Sequence, residues 1–73
     1  MKDKIIVITG ATRGLGLQIK EDLQKDNIVV TLSRSENENG KTAFRADVSD
    51  FNEVKRVFDE IGRLYGKIDL LVN

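Results

Sequence analysis

The sequence predicts an α/β fold in which helices alternate with the strands of a parallel sheet. Residues 5–8 (IIVI) and residues 28–32 (IVVTL) are apolar, mostly β-branched runs of the kind that forms strands buried on both faces. Between them, Leu15, Ile19 and Leu23 recur at the spacing of one helix face. A strand, a helix and a second buried strand in this order indicate a right-handed crossover between parallel strands.

The second half of the chain continues the alternation. Residues 33–41 (SRSENENGK) are polar and turn-rich, which predicts a loop and not a helix. Residues 43–46 are a candidate third strand, and residues 68–72 (IDLLV) predict a fourth.

A longer helix is expected between the third and fourth strands. Asp50 followed by Glu53 predicts an N-cap with a reciprocal capping partner, and Gly66 is placed to end the helix. The residues of its predicted apolar stripe are Phe51, Val54, Val57, Phe58, Ile61, Leu64 and Tyr65.

Composition excludes several classes of function. The 73 residues carry 12 basic and 12 acidic side chains, and a net charge of zero argues against a nucleic-acid or anionic membrane partner. Without cysteine or histidine, the chain cannot form a disulfide, a thiolate zinc site or a histidine-based catalytic triad. No apolar run approaches the roughly 18 residues that span a bilayer or the about 7–15 of a signal peptide. We therefore expect a soluble, cytoplasmic protein.

The chain stops at Asn73, directly after the predicted fourth strand. A parallel strand with a bare edge and no covering helix is an aggregation-prone surface. We therefore expect residues 1–73 to be a single partial domain, the N-terminal piece of a longer protein.

The segment TGATRGLG, residues 9–16, joins the first strand to the first helix. Glycines let a ligand approach the backbone, and a helix N-terminus offers free N–H groups and a positive dipole end to an anion. The spacing Gly10-x-x-x-Gly14-x-Gly16 is neither the G-x-G-x-x-G fingerprint nor a P-loop. Taken alone, these glycines are also compatible with a tight turn that binds nothing.

Three motifs in order resemble the short-chain dehydrogenase/reductase family. TGATRGLG is similar to its TGxxxGxG motif, Asp47-Val48 to its Asp-Val/Leu pair, and KIDLLVN (residues 67–73) to the start of its D-x-L-V-N-N-A-G segment. Within the family, the motifs most resemble those of 3-oxoacyl-[acyl-carrier-protein] reductases and similar ketoreductases. The resemblance implies the N-terminal portion of a Rossmann-type doubly wound parallel sheet with strand order 3-2-1-4. Residues 1–73 would then be part of a dinucleotide-binding domain of an oxidoreductase.

The resemblance also implies roles for individual residues in cofactor binding. The glycines would shape the loop, Leu15 would donate its backbone N–H to the pyrophosphate, and Thr9 would hold the loop by hydrogen bonding. Asp47 and Val48 would hold the adenine. The implied cofactor contacts in and around the motifs are Gly10, Thr12, Arg13, Gly14, Leu15, Gly16, Asp47, Val48 and Asn73.

The end of the second strand bears on which nicotinamide cofactor is bound. An acidic residue there would accept hydrogen bonds from the ribose and repel a 2′-phosphate, but this chain has Ser33 and then Arg34. Together with Arg13 they predict NADP(H), since guanidinium groups pair with phosphate. The alternatives are that Arg34 is a solvated loop residue, or that Glu36, about 20 residues past Gly16, reads the ribose of NAD(H).

No residue of this chain is expected to be catalytic. The family's chemistry uses a Ser and a Tyr-x-x-x-Lys pair, whereas Tyr65 is followed four residues later by Asp69 and falls on the apolar stripe. We expect the chain to be inactive alone, and its parent to be a homo-oligomer. Two other hypotheses stay open: a non-enzymatic dinucleotide-binding or regulatory module, and another doubly wound domain, such as a flavodoxin-like one, whose glycines only make a turn.

Overall fold

A computed structural model describes residues 2–10, 14–35 and 38–72. They form one four-stranded sheet in the order β3-β2-β1-β4, with every strand pair parallel. The predicted α/β class and strand order are thus confirmed. The elements are β1 (Ile5–Thr9), α1 (Gly14–Leu23), β2 (Ile28–Ser33), β3 (Ala43–Arg45), α2 (Phe51–Tyr65) and β4 (Leu70–Val72).

Strand β1 lies inside the sheet, with β2 on one side and β4 on the other. Its residues 5–8 are all buried, as a strand covered on both faces requires. In the register, Ile5 is paired with Ile28, Ile6 with Leu70, and, further out, Ser33 of β2 with Arg45 of β3.

The two faces of the sheet have separate apolar cores because side chains alternate along each strand. Helix α2 covers one face through Val57 and Ile61, both fully buried. Helix α1 covers the other through the half-buried Ile19 and Leu23. The sheet residues under α2 are Ile5, Val7, Val30, Leu32, Phe44 and Ala46, and those under α1 are Ile6, Ile8, Val29, Leu70 and Val72.

Helix α2 begins and ends at the predicted residues, but one capping partner differs. Asp50 Oδ1 accepts from the backbone N–H groups of Asn52 at 3.0 Å and Glu53 at 3.2 Å, and Gly66 ends the helix at φ 82°. The expected reciprocal bond is wrong: Glu53 Oε2 accepts from the N–H of Asp47 at 3.3 Å. The reason is that the N–H of Asp50 already donates to the carbonyl of Asp47 at 2.9 Å.

The helix stripes were partly wrong at their first turns. Leu15 and Phe51, expected on apolar faces, are each 77% exposed. Both helices start at the edge where the strands end, so a residue in the first turn extends past the sheet and has little to pack against. Leu64 of α2 is also partly exposed, at 37%.

The connection between β2 and β3 contains no helix in residues 34–35 and 38–42, in agreement with the predicted loop. Asn39 organises it, because its Oδ1 accepts from the backbone N–H groups of Lys41, Thr42 and Ala43 at 2.8–3.0 Å. Glu36, the candidate reader of an NAD ribose, lies outside the described residues.

No helix in the described part of the chain combines the length and apolar character needed to cross a membrane.

Candidate cofactor site

The predicted site residues lie along one edge of the sheet. Because all four strands are parallel, their carboxyl ends meet at that edge, where α/β proteins bind ligands. β1 runs into Gly10, β2 ends at Ser33, and β3 leads through Arg45 to Asp47. Three of the predicted residues, Thr12, Arg13 and Asn73, lie outside the described part of the chain.

Two glycines of the first loop have a conformation that other residues rarely adopt. Gly10 has φ 72° and Gly14, the first residue of α1, has φ 65°. Apart from its chain neighbours, a Cβ atom added at either position would meet no atom of the described residues within 4 Å. The requirement for glycine is therefore conformational.

The backbone N–H of Gly10 has a partner within the protein, the carbonyl of Leu32 at 3.0 Å. This bond joins the start of the loop to the end of β2. The hydroxyl of Thr9 lies 3.5 Å from the carbonyl oxygen of Val72 and joins the end of β1 to β4. Gly10 thus shapes the loop, and any anion bound here would rely on N–H groups further along it, including that of Leu15.

The N-terminus of α1 fits an anionic group better than that of α2. The first turn of α1 has no acidic side chain, whereas α2 has both the Asp50 cap and Glu53. A helix N-terminus without its own carboxylate keeps its N–H groups and its positive dipole end for a ligand. The arrangement at α1 therefore suits the pyrophosphate of a dinucleotide.

A small cavity of about 180 Å³ lies beside the ends of β2 and β3. Four charged side chains line it, together with Ala46: Arg34, Arg45, Asp47 and Glu53. Two of the four were predicted as site residues, Arg34 from its position at the end of the second strand and Asp47 from the Asp-Val pair, and the fold brings them together.

Ser33 has its own local contacts at the mouth of this region. Its hydroxyl oxygen accepts from the backbone N–H of Ser35 at 3.2 Å and lies 3.2 Å from the Ser35 hydroxyl. Its carbonyl accepts from the N–H of Ala46 at 3.1 Å, which ties the end of β2 to the end of β3. The turn carrying Arg34 is thereby fixed at both sides.

Asp47 is held as a carboxylate. Its Oδ1 accepts from the hydroxyl of Ser49 at 2.6 Å and from the Ser49 N–H at 2.9 Å. These bonds hold the pKa of Asp47 below its ordinary value of 3.8, and the positive charge of Arg34 lowers it further. Val48, the other predicted adenine contact, is 56% exposed beside it.

Sequence reasoning missed Arg45 and Glu53 as lining residues and gave Asp69 no role beyond the family pattern. The position of Arg45 at the end of the weak third strand was a usable signal, since parallel strands end side by side. The carboxylate of Asp69 accepts a hydrogen bond from the backbone N–H of Ile5 in β1. Nothing in the local sequence indicates this contact.

Tyr65 packs against the core under α2, as predicted, and its hydroxyl donates to the carbonyl of Lys41.

Over residues 2–10, 14–35 and 38–72, no group of three or more acidic, histidine or cysteine side chains could hold a metal ion.

Comparison with known proteins agrees with this architecture. The family model described as "short chain dehydrogenase" matches residues 4–73. A 3-oxoacyl-[acyl-carrier-protein] reductase of Buchnera aphidicola subsp. Baizongia pistaciae is 31% identical over 96% of this chain and 33% of its own length. A 3beta-hydroxysteroid dehydrogenase of Mediterraneibacter gnavus is 36% identical over 97% of this chain and 30% of its own length.

A third relative, a sorbitol-6-phosphate 2-dehydrogenase of Klebsiella pneumoniae, is 30% identical over 100% of this chain. The chain covers only 30–33% of the length of these three relatives. The family model covers nearly the whole chain, and the sheet is parallel with the expected strand order. The chain therefore belongs to the short-chain dehydrogenase family and corresponds to its N-terminal portion.

Proposed function

We propose that residues 1–73 are the NADP(H)-binding segment of a short-chain dehydrogenase/reductase. The complete protein would transfer hydride between NADP(H) and a carbonyl or alcohol substrate. Membership of the family supports a nicotinamide dinucleotide, and one observation favours its phosphorylated form: Arg34 directly follows the last residue of β2 and lines the cavity at that edge.

Different residues of the described chain would bind different parts of the cofactor. The start of α1, with Gly14 and the backbone N–H of Leu15, would hold the pyrophosphate. Asp47 and Val48 would contact the adenine, and Ser33 and Arg34 would contact the 2′-phosphate. When bound, the nicotinamide ring supplies the hydride, and these residues bind and orient the molecule at its other end.

Thr12, Arg13 and Asn73 would complete the site as the resemblance implies. Arg13 would approach the 2′-phosphate from the side opposite Arg34, and Asn73 would lie beside the adenosine ribose. These roles are part of the same proposal.

Preference for NAD(H) is the nearest competing function, because two carboxylates line the same cavity. Both are already engaged: Glu53 accepts from the N–H of Asp47, and Asp47 accepts twice from Ser49. Each still has a second oxygen that could accept from a ribose hydroxyl, so the preference for NADP(H) depends on Arg34 and not on these carboxylates.

The substrate would be a carbonyl compound of the kind that ketoreductases reduce. The names of several relatives support this, among them 3-oxoacyl-[acyl-carrier-protein] reductases and a granaticin polyketide synthase putative ketoacyl reductase of Streptomyces violaceoruber. The family's Ser and Tyr-x-x-x-Lys pair do not occur in residues 1–73 in the required pattern, since Tyr65 is followed four residues later by Asp69. The catalytic groups would have to come from further sequence, in a parent that we expect to be a homo-oligomer.

The test compares NADPH and NADH binding to the full-length protein that carries this chain, before and after Arg34→Asp. We expect wild type to bind NADPH more tightly, and the variant to lose NADPH affinity far more than NADH affinity, because it replaces a phosphate partner by a like charge. Equal loss of both cofactors would refute the assignment of Arg34. In the same protein, absence of the Ser and the Tyr-x-x-x-Lys pair, with dinucleotide binding intact, would favour a non-enzymatic binding module.

A further inference from the structure

Arg45 is a charged residue that neither the motifs nor the resemblance assigns. It is the last residue of β3, it is exposed, and it is paired in the register with Ser33, the last residue of β2. Phe44, one position earlier, is buried under α2, so alternation directs Arg45 to the opposite face of the sheet. Leu32 is likewise buried under α2, and Ser33 therefore shares the face of Arg45.

Two guanidinium groups and two carboxylates line the cavity beside these residues. Its carboxylates accept hydrogen bonds from the protein itself, Glu53 from Asp47 and Asp47 from Ser49. Among the described residues, the ion pairs within 4.0 Å are Lys55–Asp59, Arg63–Glu60 and Lys67–Asp69, so neither Arg34 nor Arg45 is in one. Two guanidinium groups at one cavity thus keep their N–H donors for a ligand.

We propose that Arg45 is a further specificity-determining residue, which contacts the 2′-phosphate of NADP(H) together with Arg34. The group it recognises is a phosphate monoester on a ribose, for which a planar guanidinium is a matching donor. This inference rests on the proposed function, because it concerns the same end of the same cofactor. It adds that β3, and not only the glycine loop and β2, determines the choice of cofactor.

The experiment uses the full-length protein that carries this chain and isothermal titration with four ligands. NADPH and 2′,5′-ADP carry the 2′-phosphate, whereas NADH and 5′-AMP do not. The variants are Arg45→Gln, Arg45→Lys and Arg34→Gln, with Arg56→Gln on the exposed face of α2 as the matched control.

We expect Arg45→Gln to weaken NADPH and 2′,5′-ADP about tenfold, the effect of one charge-assisted hydrogen bond, and to leave NADH and 5′-AMP within about twofold. Arg45→Lys should recover part of the loss, because it restores the charge without the fork of donors. Arg56→Gln should change none of the four affinities.

Two outcomes overturn the inference and leave the proposed function standing. One is an unchanged NADPH-to-NADH ratio in Arg45→Gln while Arg34→Gln abolishes the preference. The other is an equal loss for all four ligands in both Arg45 variants, which would mean that Arg45 only supports the fold. A wild-type protein with no preference for NADPH overturns the proposed function and this inference together.

Discussion

The carboxylate of Asp69 accepts a hydrogen bond of 2.7 Å from the backbone N–H of Ile5, a residue 64 positions away. The Asp69 N–H donates to the carbonyl of the same Ile5 at 2.8 Å. This pair of bonds holds the segment before β4 against the first residue of β1, where the parallel ladder between the two strands begins.

Removing the Asp69 side chain should destabilise the protein. Asp69→Ala leaves the partly buried N–H of Ile5 without its acceptor, and an unsatisfied donor costs more than the bond is worth. Asp59→Ala is the matched control, because Asp59 is exposed and only pairs with Lys55 along α2. Urea unfolding should show a clear fall of the midpoint for Asp69→Ala and almost none for Asp59→Ala. Equal midpoints for the two variants would contradict the role of Asp69.

Stability should fall at acid pH. The bond from Ile5 lowers the pKa of Asp69, and hydrogen bonds from Ser49 and Arg63 lower those of Asp47 and Glu60. A carboxyl whose pKa is lower in the folded than in the unfolded protein stabilises the fold above its unfolded pKa. That stabilisation is lost as pH falls through the folded pKa, so the loss begins at about pH 4.

Thermal melts between pH 7 and pH 2 check this dependence. Asp69→Asn keeps an oxygen acceptor for Ile5 but cannot titrate, so its Tm should fall less steeply below about pH 4 than that of wild type. Asp59→Asn serves as the control, because the exposed Asp59 pairs with Lys55 along α2. A Tm profile of Asp69→Asn that runs parallel to wild type would show that this carboxyl contributes nothing to acid sensitivity.

Gly62 inside α2 and Gly66, its C-cap, should respond oppositely to alanine. Gly66 has φ 82°, so Gly66→Ala strains the helix end and should lower the free energy of unfolding by about 1 kcal/mol. Gly62 lies inside the helix, and a Cβ there meets nothing within 4 Å. Gly62→Ala should therefore raise the free energy of unfolding by about 0.5–1 kcal/mol. Chemical denaturation of both variants measures the two changes, and a shift of the same sign in both would contradict the assigned end of α2.

Gly14→Ala should affect cofactor binding as well as stability. Gly14 and Gly40 both have positive φ, 65° and 74°, and both face open space, so alanine strains each of them to a similar extent. Only Gly14 lies at the start of α1, where we propose that the pyrophosphate binds. Dinucleotide titration of the full-length protein should show weakened binding for Gly14→Ala and wild-type affinity for Gly40→Ala. Similar affinities in the two variants would argue against a pyrophosphate at this helix.

The pattern of apolar residues in the sequence predicted the strands and helices well, because positions that are buried in the fold require apolar side chains. Residues 5–8 and 29–32 are buried because both faces of β1 and β2 are covered there, and the structure extends each predicted strand by one residue. The contacts at the edges were harder to foresee. Phe51 has the helical spacing of the buried stripe, yet the first turn of α2 extends past the end of the sheet and leaves it exposed. The spacing of apolar residues along a helix carries no information on where the sheet that it packs against ends.

The candidate site was predictable to the extent that motifs indicated it. Arg34 and Asp47 belong to recognisable segments, and a parallel sheet necessarily brings their strand ends to one edge. Arg45 required the register, which places it beside Ser33 and which depends on how a three-residue strand is paired. The role of Asp69 depends on a contact over 64 positions, for which local sequence carries no signal.

The position of β1 between β2 and β4 has a consequence for folding during synthesis. β1 leaves the ribosome before the other three strands of this sheet, but its partner β4 follows more than 60 residues later, which at about 5–20 residues per second is a delay of several seconds. Throughout that interval one edge of β1, four of whose five residues are apolar, has no partner. Strand β2 covers only the opposite edge and the helices cover only the faces, so the open edge can pair with other chains until translation delivers β4.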